Sequence, residues 1–148
     1  MDKIYTLSIK CVAGMYLSQA YSFVLALPAD CNFDDLAYYI LDVIEFDGEH
    51  LSGFYAARTP HSKRTWLKID APWEDDGEMP DALLSEIFPL ERNKKLFFEY
   101  DPGASWCFEI VRKGRETSAV AGQTYPILVM EEGVKPLEYG DDGDDGVE

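Results

Sequence analysis

The chain has 148 residues, and its 28 acidic and 13 basic side chains give a formal net charge of -15. Hydrophobic residues make up 47% of the sequence, which excludes an intrinsically disordered chain and is enough for one domain with a buried core. The excess of carboxylates opposes contact with phosphate backbones, so we expect no direct binding to nucleic acid.

Cysteine usage and hydropathy indicate the compartment. Cys11, Cys31 and Cys107 are odd in number and widely spaced, which argues against a disulfide framework or a zinc site and favours a reducing compartment. The first residues alternate between polar and apolar types, as in a strand and unlike a signal peptide. No apolar run approaches the roughly 18 residues of a membrane helix. We therefore expect a cytoplasmic protein that does not contact membranes.

Two strands and a helix are predicted first. Apolar residues alternate with polar ones over residues 5–11 and again over residues 21–27, the period of a half-buried strand. Pro28 ends the second strand. Asn32 can then cap a helix whose end is expected at Gly48. The apolar positions at helical spacing are Phe33, Leu36, Ala37, Ile40, Leu41 and Ile44.

The middle of the chain alternates between strands and polar connections. Strands are predicted over residues 51–57 and 65–69. Residues 71–80 carry proline, glycine and several acids and are expected to form an exposed loop. Asp81 is expected to cap a short helix over residues 82–88.

An aromatic hairpin is predicted over residues 95–111. Asp101, Pro102 and Gly103 suit a type II turn, in which Gly103 would take the positive φ. Residues 112–123 are expected to form a mobile connection, and residues 125–130 a last apolar segment. The apolar residues that share a face within each strand of the hairpin are Leu96, Phe98 and Tyr100 in the first, and Trp106, Phe108 and Ile110 in the second.

This order of elements predicts an α+β fold. It indicates a mostly antiparallel sheet with one main helix packed on one face, β-grasp-like with additions. We expect a single domain over residues 1–139. Residues 140–148, rich in aspartate, are expected to form an acidic disordered tail.

The hairpin also carries a family likeness. The spacing of Tyr100, Asp101, Gly103 and Trp106 resembles the signature hairpin of the plasmid pRiA4b ORF-3-like family, which is associated with plasmids and transposons and has no agreed activity. The resemblance extends over roughly residues 5–140. The other framework residues that match are Leu27, Pro28, Leu36, Ile40, His50, Leu51, Phe54, Ile110, Tyr125 and Pro126.

The resemblance also implies polar side chains that this chain mostly lacks. Ala37 stands where the family has a helix histidine, and Ser52 stands at the second histidine of a His-Leu-His segment. Other positions at which the family's polar residues or cysteines are replaced are Ser22, Phe23, Val24, Ala104, Phe108, Leu128, Lys135 and Gly140. A metal centre needs three or four converging ligands, and only His50 and Asp101 remain as shared candidates. We therefore expect neither a bound metal nor a cofactor.

Four residues are candidates for a binding site, and none is predicted to be catalytic. His50 is either a site residue tuned by Asp47 or Asp101, or a histidine at a helix end that bonds a carbonyl or carboxylate. Asp101 is either a site carboxylate or a turn residue that bonds its own backbone. Trp106 is either a platform for a ligand or part of the core with its N–H hydrogen-bonded. Tyr100, next to Asp101, completes the candidate set.

Three functions remain open. The first is a non-catalytic binding module that holds a protein partner on an aromatic sheet surface or an exposed strand edge. The second is a metal-assisted hydrolase with ligands or acid–base groups among His50, Asp47, Asp101 and Glu109. The third is an acidic mimic of nucleic acid. We favour the binding module, and the sequence predicts no oligomeric state.

Overall fold

The structure, a computed structural model, describes residues 3–70 and 82–140. The acidic loop predicted over residues 71–80, the predicted cap Asp81 and the tail after Gly140 lie outside these ranges. Within them the elements, in chain order, are β1 (Lys3–Ala13), β2 (Tyr21–Pro28), α1 (Phe33–Ile44), β3 (Ser52–Ala57), β4 (Thr65–Asp70), α2 (Leu84–Ile87), β5 (Lys95–Tyr100), β6 (Trp106–Arg112), β7 (Thr117–Ser118) and β8 (Ile127–Gly133).

All the strands join one sheet in the order β4-β3-β5-β6-β1-β2-β8, and β7 pairs with the start of β1. Every pair of neighbouring strands is antiparallel. The long helix α1 packs against one face, which confirms an α+β fold built on a mostly antiparallel sheet with one main helix. No helix in the part of the chain that the structure describes is long and apolar enough to cross a membrane.

The main core lies between α1 and the sheet. Alternation along the strands turns the odd-numbered residues of β1 and β2 and the even-numbered residues of β5 and β6 toward the helix. Phe33 of α1 stacks on Phe54 of β3 with ring centroids 4.7 Å apart. A smaller cluster on the opposite face explains why β3 is buried along its whole length; its buried members are Tyr55, Ala57, Phe97 and Cys107.

Helix α1 begins as predicted and ends early. Asn32 Oδ1 accepts a hydrogen bond of 2.8 Å from the Asp35 N–H, which confirms the predicted cap. The predicted end at Gly48 is wrong, because the helix stops at Ile44 and Glu45 takes a left-handed φ of 64°. The chain leaves the helix there because Phe46 turns inward, where it is buried. Packing in the core therefore overrides the local stop signal of the glycine.

The turn of the aromatic hairpin also differs from its prediction. Gly103 does not take a positive φ, whereas Asp101 and Ser105 do, at 54° and 59°. The N–H groups of Ala104 and Ser105 both donate to the Asp101 carbonyl, at 2.8 and 2.9 Å. The loop is thus longer than a type II turn, and aspartate tolerates the left-handed conformation that was assigned to the glycine. The Met15 N–H holds the loop in place by donating to the Ala104 carbonyl at 2.7 Å.

Candidate functional site at the end of helix α1

Five polar side chains from three segments converge beyond the end of α1. Asp47 and His50 lie in the loop between α1 and β3, and Tyr100 is the last residue of β5. Glu138 and Tyr139 lie in the segment that follows β8. We call these five residues the His50 cluster. The early end of α1 produces this arrangement, because it leaves the loop free to pass over the end of the sheet.

Hydrogen bonds connect the members of the cluster. The Tyr139 hydroxyl donates to Asp47 Oδ2 at 2.6 Å. The Tyr100 hydroxyl lies 3.1 Å from Asp47 Oδ1 and 3.0 Å from Glu138 Oε2, so the two carboxylates share its single proton. Glu138 Oε1 also accepts a bond of 2.6 Å from the Asp47 N–H. The cluster thus fastens the segment after β8 to the loop after α1.

These bonds determine where the His50 imidazole carries its proton. His50 Nε2 lies 2.9 Å from the Tyr139 hydroxyl. That hydroxyl has one proton and gives it to Asp47, so it must accept from the imidazole. This network thus favours the tautomer with the proton on Nε2, and a metal ion at Nε2 would require the tautomer with the proton on Nδ1.

The pKa values of the two carboxylates in the cluster are shifted in opposite directions. Burial raises the pKa of Glu138, which is only 8% exposed. Burial also disfavours the charge on Asp47, but hydrogen bonds from Tyr139, the Glu49 N–H and Tyr100 outweigh it and lower the pKa of Asp47. A pair of neighbouring acids with opposed shifts is typical of acid–base sites. Burial and the bond to Glu138 raise the pKa of the Tyr100 phenol, which therefore stays protonated.

The cluster contains a set of potential metal ligands. One donor atom from each of Asp47, His50 and Glu138 lies within 4.8 Å of the other two. Nitrogen and carboxylate oxygen donors of this kind suit zinc, manganese or iron. Asp101 adds a fourth group, because its Oδ2 lies 3.8 Å from His50 Nε2. Glu109, named with these residues from the sequence, pairs instead with Lys95 at 3.3 Å.

The buried cysteines are poorly suited to act as nucleophiles or metal ligands. All three are free and buried. Burial raises the pKa of the Cys11 thiol to about 12 and that of the Cys31 thiol to about 11. A thiol is a nucleophile or a metal ligand only as the thiolate, so neither side chain is suited to these roles at neutral pH.

A cavity of about 440 Å³ opens beside the cluster, between α1 and the β3 end of the sheet. We call it the α1 pocket. Its floor includes the stacked rings of Phe33 and Phe54, and one end is formed by Asp47 and His50. Cavities of this size are common at ligand sites. The remaining lining residues are Asp34, Ala37, Tyr38, Leu41, Asp42, Phe46, Gly48, Ser52, Gly53, Lys68 and Tyr100.

Three of the four residues proposed from the sequence meet at this place. His50 and Tyr100 belong to the cluster, and Asp101 contacts it. Trp106 does not reach it, because its ring is fully buried and packs against Phe46 at 5.0 Å. Its Nε1 has no hydrogen-bond partner within the described residues. Trp106 thus packs under the loop as a core residue, whereas the hydrogen bond that the core alternative expected for its N–H is not found among the described residues.

Glu138 and Tyr139 were missed as site residues. In the sequence Glu138 is one of several acids that follow the last predicted strand, and nothing in its spacing separates it from the acidic tail. Its role arises from a contact with Asp47 across the chain, which no local pattern encodes.

Two positions at which the resemblance implied histidines line the α1 pocket. Ala37 and Ser52 both face it, together with His50. Phe108 and Ala104, at two further replaced positions, are buried. Ala37 and Ser52 thus lie beside the surviving His50, and their small side chains leave space in the pocket.

Comparisons with known proteins agree with this fold. The family model described as plasmid pRiA4b ORF-3-like protein matches residues 24–142. A crystal structure of a protein of unknown function from Methanosarcina mazei Go1 is similar with a TM-score of 0.67, at 24% sequence identity, over 87% of this chain and 68% of that chain. At that identity the likeness shows the fold alone. No curated protein matches the chain.

Proposed function

The chain belongs to the plasmid pRiA4b ORF-3-like family, and from this premise we propose that it binds one divalent cation through Asp47, His50 and Glu138. The family description names no activity, so the proposal depends on the site. The observation that carries it is the approach of three donor atoms of suitable chemistry to within 4.8 Å of one another. Three protein ligands leave coordination positions open, as in catalytic metal sites.

The donors need only a small contraction to share an ion. Ligand atoms at about 2.0–2.2 Å from a metal stand roughly 3–4 Å from one another. Rotation of the His50 and Asp47 side chains can close the difference, since both lie in a loop and Asp47 is exposed. Glu138 is held by Tyr100 and the Asp47 N–H, which orient its carboxylate as partners of metal ligands do.

Binding of an ion requires a change of His50 tautomer and the loss of a proton from Glu138. His50 must carry its proton on Nδ1 so that Nε2 can hold the ion, and Glu138, whose pKa burial raises, must ionise. Affinity for the ion should therefore increase with pH.

Metal-assisted hydrolysis is the activity that this arrangement would support. A bound ion supplies Lewis acidity and lowers the pKa of a coordinated water. Asp101, with Oδ2 at 3.8 Å from His50 Nε2, is placed to accept a proton from a water beside the imidazole. Release of His50 leaves the Tyr139 hydroxyl, whose proton is donated to Asp47, free to accept a hydrogen bond from a substrate.

Calorimetric titration of the untagged, chelator-treated chain with Mn²⁺ and Zn²⁺ tests the proposal. We expect one site, lost in His50→Ala and in Glu138→Gln. The chain contains a matched control for each, because His61 and Glu132 are exposed residues outside the cluster. His61→Ala and Glu132→Gln should bind as the wild type does. Absence of binding to the wild type, or equal losses in His50→Ala and His61→Ala, would reject the site.

A hydrolase assay tests whether the same site is catalytic. Chromogenic phosphate and carboxylate esters should be cleaved in the presence of the ion, and Asp101→Asn should slow cleavage without abolishing binding of the ion. Binding of the ion without cleavage of either class of ester would support a metal-binding protein and reject the hydrolase.

A protein-binding module is the second candidate, and the edge of the sheet favours it. Strand β8 pairs with β2 and ends the order of strands in the described sheet. Its Leu128, Val129 and Met130 are 45%, 57% and 48% exposed. An exposed apolar edge strand is a template for an extended segment of a partner.

A photo-crosslinking amino acid at position 129 tests this candidate in the native cell. Position 120 is the matched control, since Val120 is also exposed, at 62%, but lies outside β8. A reproducible adduct from position 129 and none from position 120 supports a partner at the edge. Equal labelling from both positions, or none from either, contradicts it.

Three further expectations remain part of the proposal. A cytoplasmic location is supported by three free, buried cysteines. Absence of direct nucleic-acid binding is supported by the formal charge of -15. A β-grasp-like arrangement is supported by one long helix packed across an antiparallel sheet.

A further inference from the structure

The α1 pocket has a closely packed aromatic floor. Phe33 and Phe54 are 0% and 2% exposed, and their rings stack 4.7 Å apart. Ala37, on α1 above them, lines the cavity with a single methyl group. A larger side chain there would occupy part of the approximately 440 Å³. Because the two rings are covered, the apolar surface that a small organic group can contact is supplied by Ala37 and Leu41.

The helix wall of the pocket carries negative charge. Asp34, Tyr38 and Asp42 follow one another at intervals of four residues and so lie along the same side of α1. Asp47 adds a third carboxylate at the end of the pocket. Lys68 is the lysine of the lining, and its Nζ lies 3.8 Å from Asp34 Oδ1. Asp47 accepts hydrogen bonds from Tyr139, Tyr100 and the Glu49 N–H, so Asp42 remains to balance a charge brought by a ligand.

We infer that the α1 pocket binds a small organic cation, a primary ammonium group carried on an apolar body. The apolar body lies against the partly exposed Ala37 and Leu41, and the ammonium group is directed toward the Asp42 carboxylate. Tyr38, whose ring is 67% exposed at the rim, can cover the cation with its face.

Charge complementarity selects this ligand over its alternatives. An anion of the same shape would meet three lining carboxylates and a lysine already beside Asp34. A neutral molecule would gain the apolar contact without the ion pairs. The chain as a whole also attracts cations, with a formal charge of -15.

The inference deepens the proposed function and depends on it only for the reaction. Ala37, Leu41 and Asp42 are not among the proposed ligands of the ion, so ammonium binding can be measured alone. If the hydrolase is correct, its substrate class is an ester or amide that carries an ammonium group.

Three probes of similar size separate the possibilities in metal-free protein. They are 2-phenylethylammonium, the neutral 2-phenylethanol and the anionic 3-phenylpropionate, each titrated into the ¹⁵N-labelled full chain with chelator present. We expect the ammonium to shift amide signals of residues 37–42 and 52–54. Its affinity should exceed that of the alcohol by about tenfold, should fall with added salt, and should greatly exceed that of the carboxylate.

Two single-charge variants locate the contact. Asp42→Asn should weaken ammonium binding by about threefold, the effect of one partly exposed ion pair. Asp30→Asn is the matched control, since Asp30 is exposed and does not line the pocket, and it should leave the affinity unchanged. Equal effects of the two variants, equal binding of the ammonium and the alcohol, or shifts confined to other parts of the chain would overturn the inference.

The outcomes also separate this inference from the proposed metal site. Ammonium binding that survives in Glu138→Gln, together with a failed metal titration, removes the metal site alone. A successful metal titration without ammonium binding removes only the inference about the pocket.

Discussion

The Asp47 N–H donates a hydrogen bond of 2.6 Å to Glu138 Oε1, although 91 positions separate the two residues in the chain. The other carboxylate oxygen of Glu138 accepts from the Tyr100 hydroxyl at 3.0 Å. One buried carboxylate thereby joins the loop after α1, the end of β5 and the segment after β8. The position of the candidate metal ligands depends on this junction.

Removal of the Tyr100 hydroxyl should loosen the junction. Tyr100→Phe leaves the buried Glu138 carboxylate with one partner fewer, at an expected cost of about 1–3 kcal/mol in the free energy of unfolding. Urea denaturation measures it. Tyr38→Phe is the control, because that ring is 67% exposed, and it should cost much less. Equal losses in the two variants would show that the hydroxyl does not support the fold.

The contribution of Glu138 to stability should depend on pH. Burial raises the pKa of Glu138 in the folded state above its ordinary value of 4.5, so the folded state holds this proton more tightly than the unfolded state. That contribution is complete below the unfolded value and is lost as the pH rises through the folded value. Glutamine stays neutral, so the wild type should lose stability relative to Glu138→Gln as the pH rises above 4.5.

Urea denaturation at a series of pH values between acid and neutral measures this pH dependence of the free energy of unfolding. Glu132→Gln, in the exposed strand β8, is the matched control. Asp47→Asn should give the opposite sign, because the lowered pKa of Asp47 stabilises the fold above the unfolded value of 3.8 and the contribution is lost as the pH falls. The same pH dependence of stability in Glu138→Gln and Asp47→Asn would contradict the opposite pKa shifts assigned to the two carboxylates.

Replacement of Tyr139 should strengthen ion binding. The Tyr139 hydroxyl accepts the His50 Nε2 proton and donates to Asp47, and an ion bound by these two side chains must replace both bonds. In Tyr139→Phe that competition is absent, so the dissociation constant for Mn²⁺ should fall. Calorimetry measures it against the wild type. A weaker affinity in the variant would mean that the phenol assists the ion.

Two glycines should differ sharply in their tolerance of alanine. A Cβ at Gly14 would overlap the Trp106 ring, so Gly14→Ala must displace a buried indole, with an expected cost of about 1–3 kcal/mol. A Cβ at Gly103 would meet nothing closer than Asp101 Oδ1 at 3.5 Å. Gly103→Ala should therefore be nearly neutral in thermal denaturation. A large loss of stability in Gly103→Ala would instead support the type II turn predicted from the sequence.

The sequence predicted the parts of the fold that depend on local periodicity. Alternation located β1 and β2, and Asn32 with the apolar face that follows it located the start of α1. Each of these signals acts over a few residues, so the sequence contains it in full. The end of α1 was misjudged because the burial of Phe46 is a tertiary effect.

The candidate site was predicted in part, for the same physical reason. His50, Tyr100 and Asp101 stand beside recognisable turns or strand ends, and the structure brings them together. Glu138 joins them only because β8 returns along β2 and carries the following segment to Asp47. A single sequence does not encode that contact in any local pattern. The expectation that too few ligating groups remained therefore rested on an incomplete set of candidates.

The most direct test of the account is a crystal of the chain soaked with Mn²⁺ and measured for anomalous scattering. We predict one strong peak between Asp47, His50 and Glu138, at roughly 2.0–2.3 Å from a donor atom of each. Absence of a peak at this position in well-ordered crystals, or a peak held by other carboxylates alone, would contradict the proposed metal site.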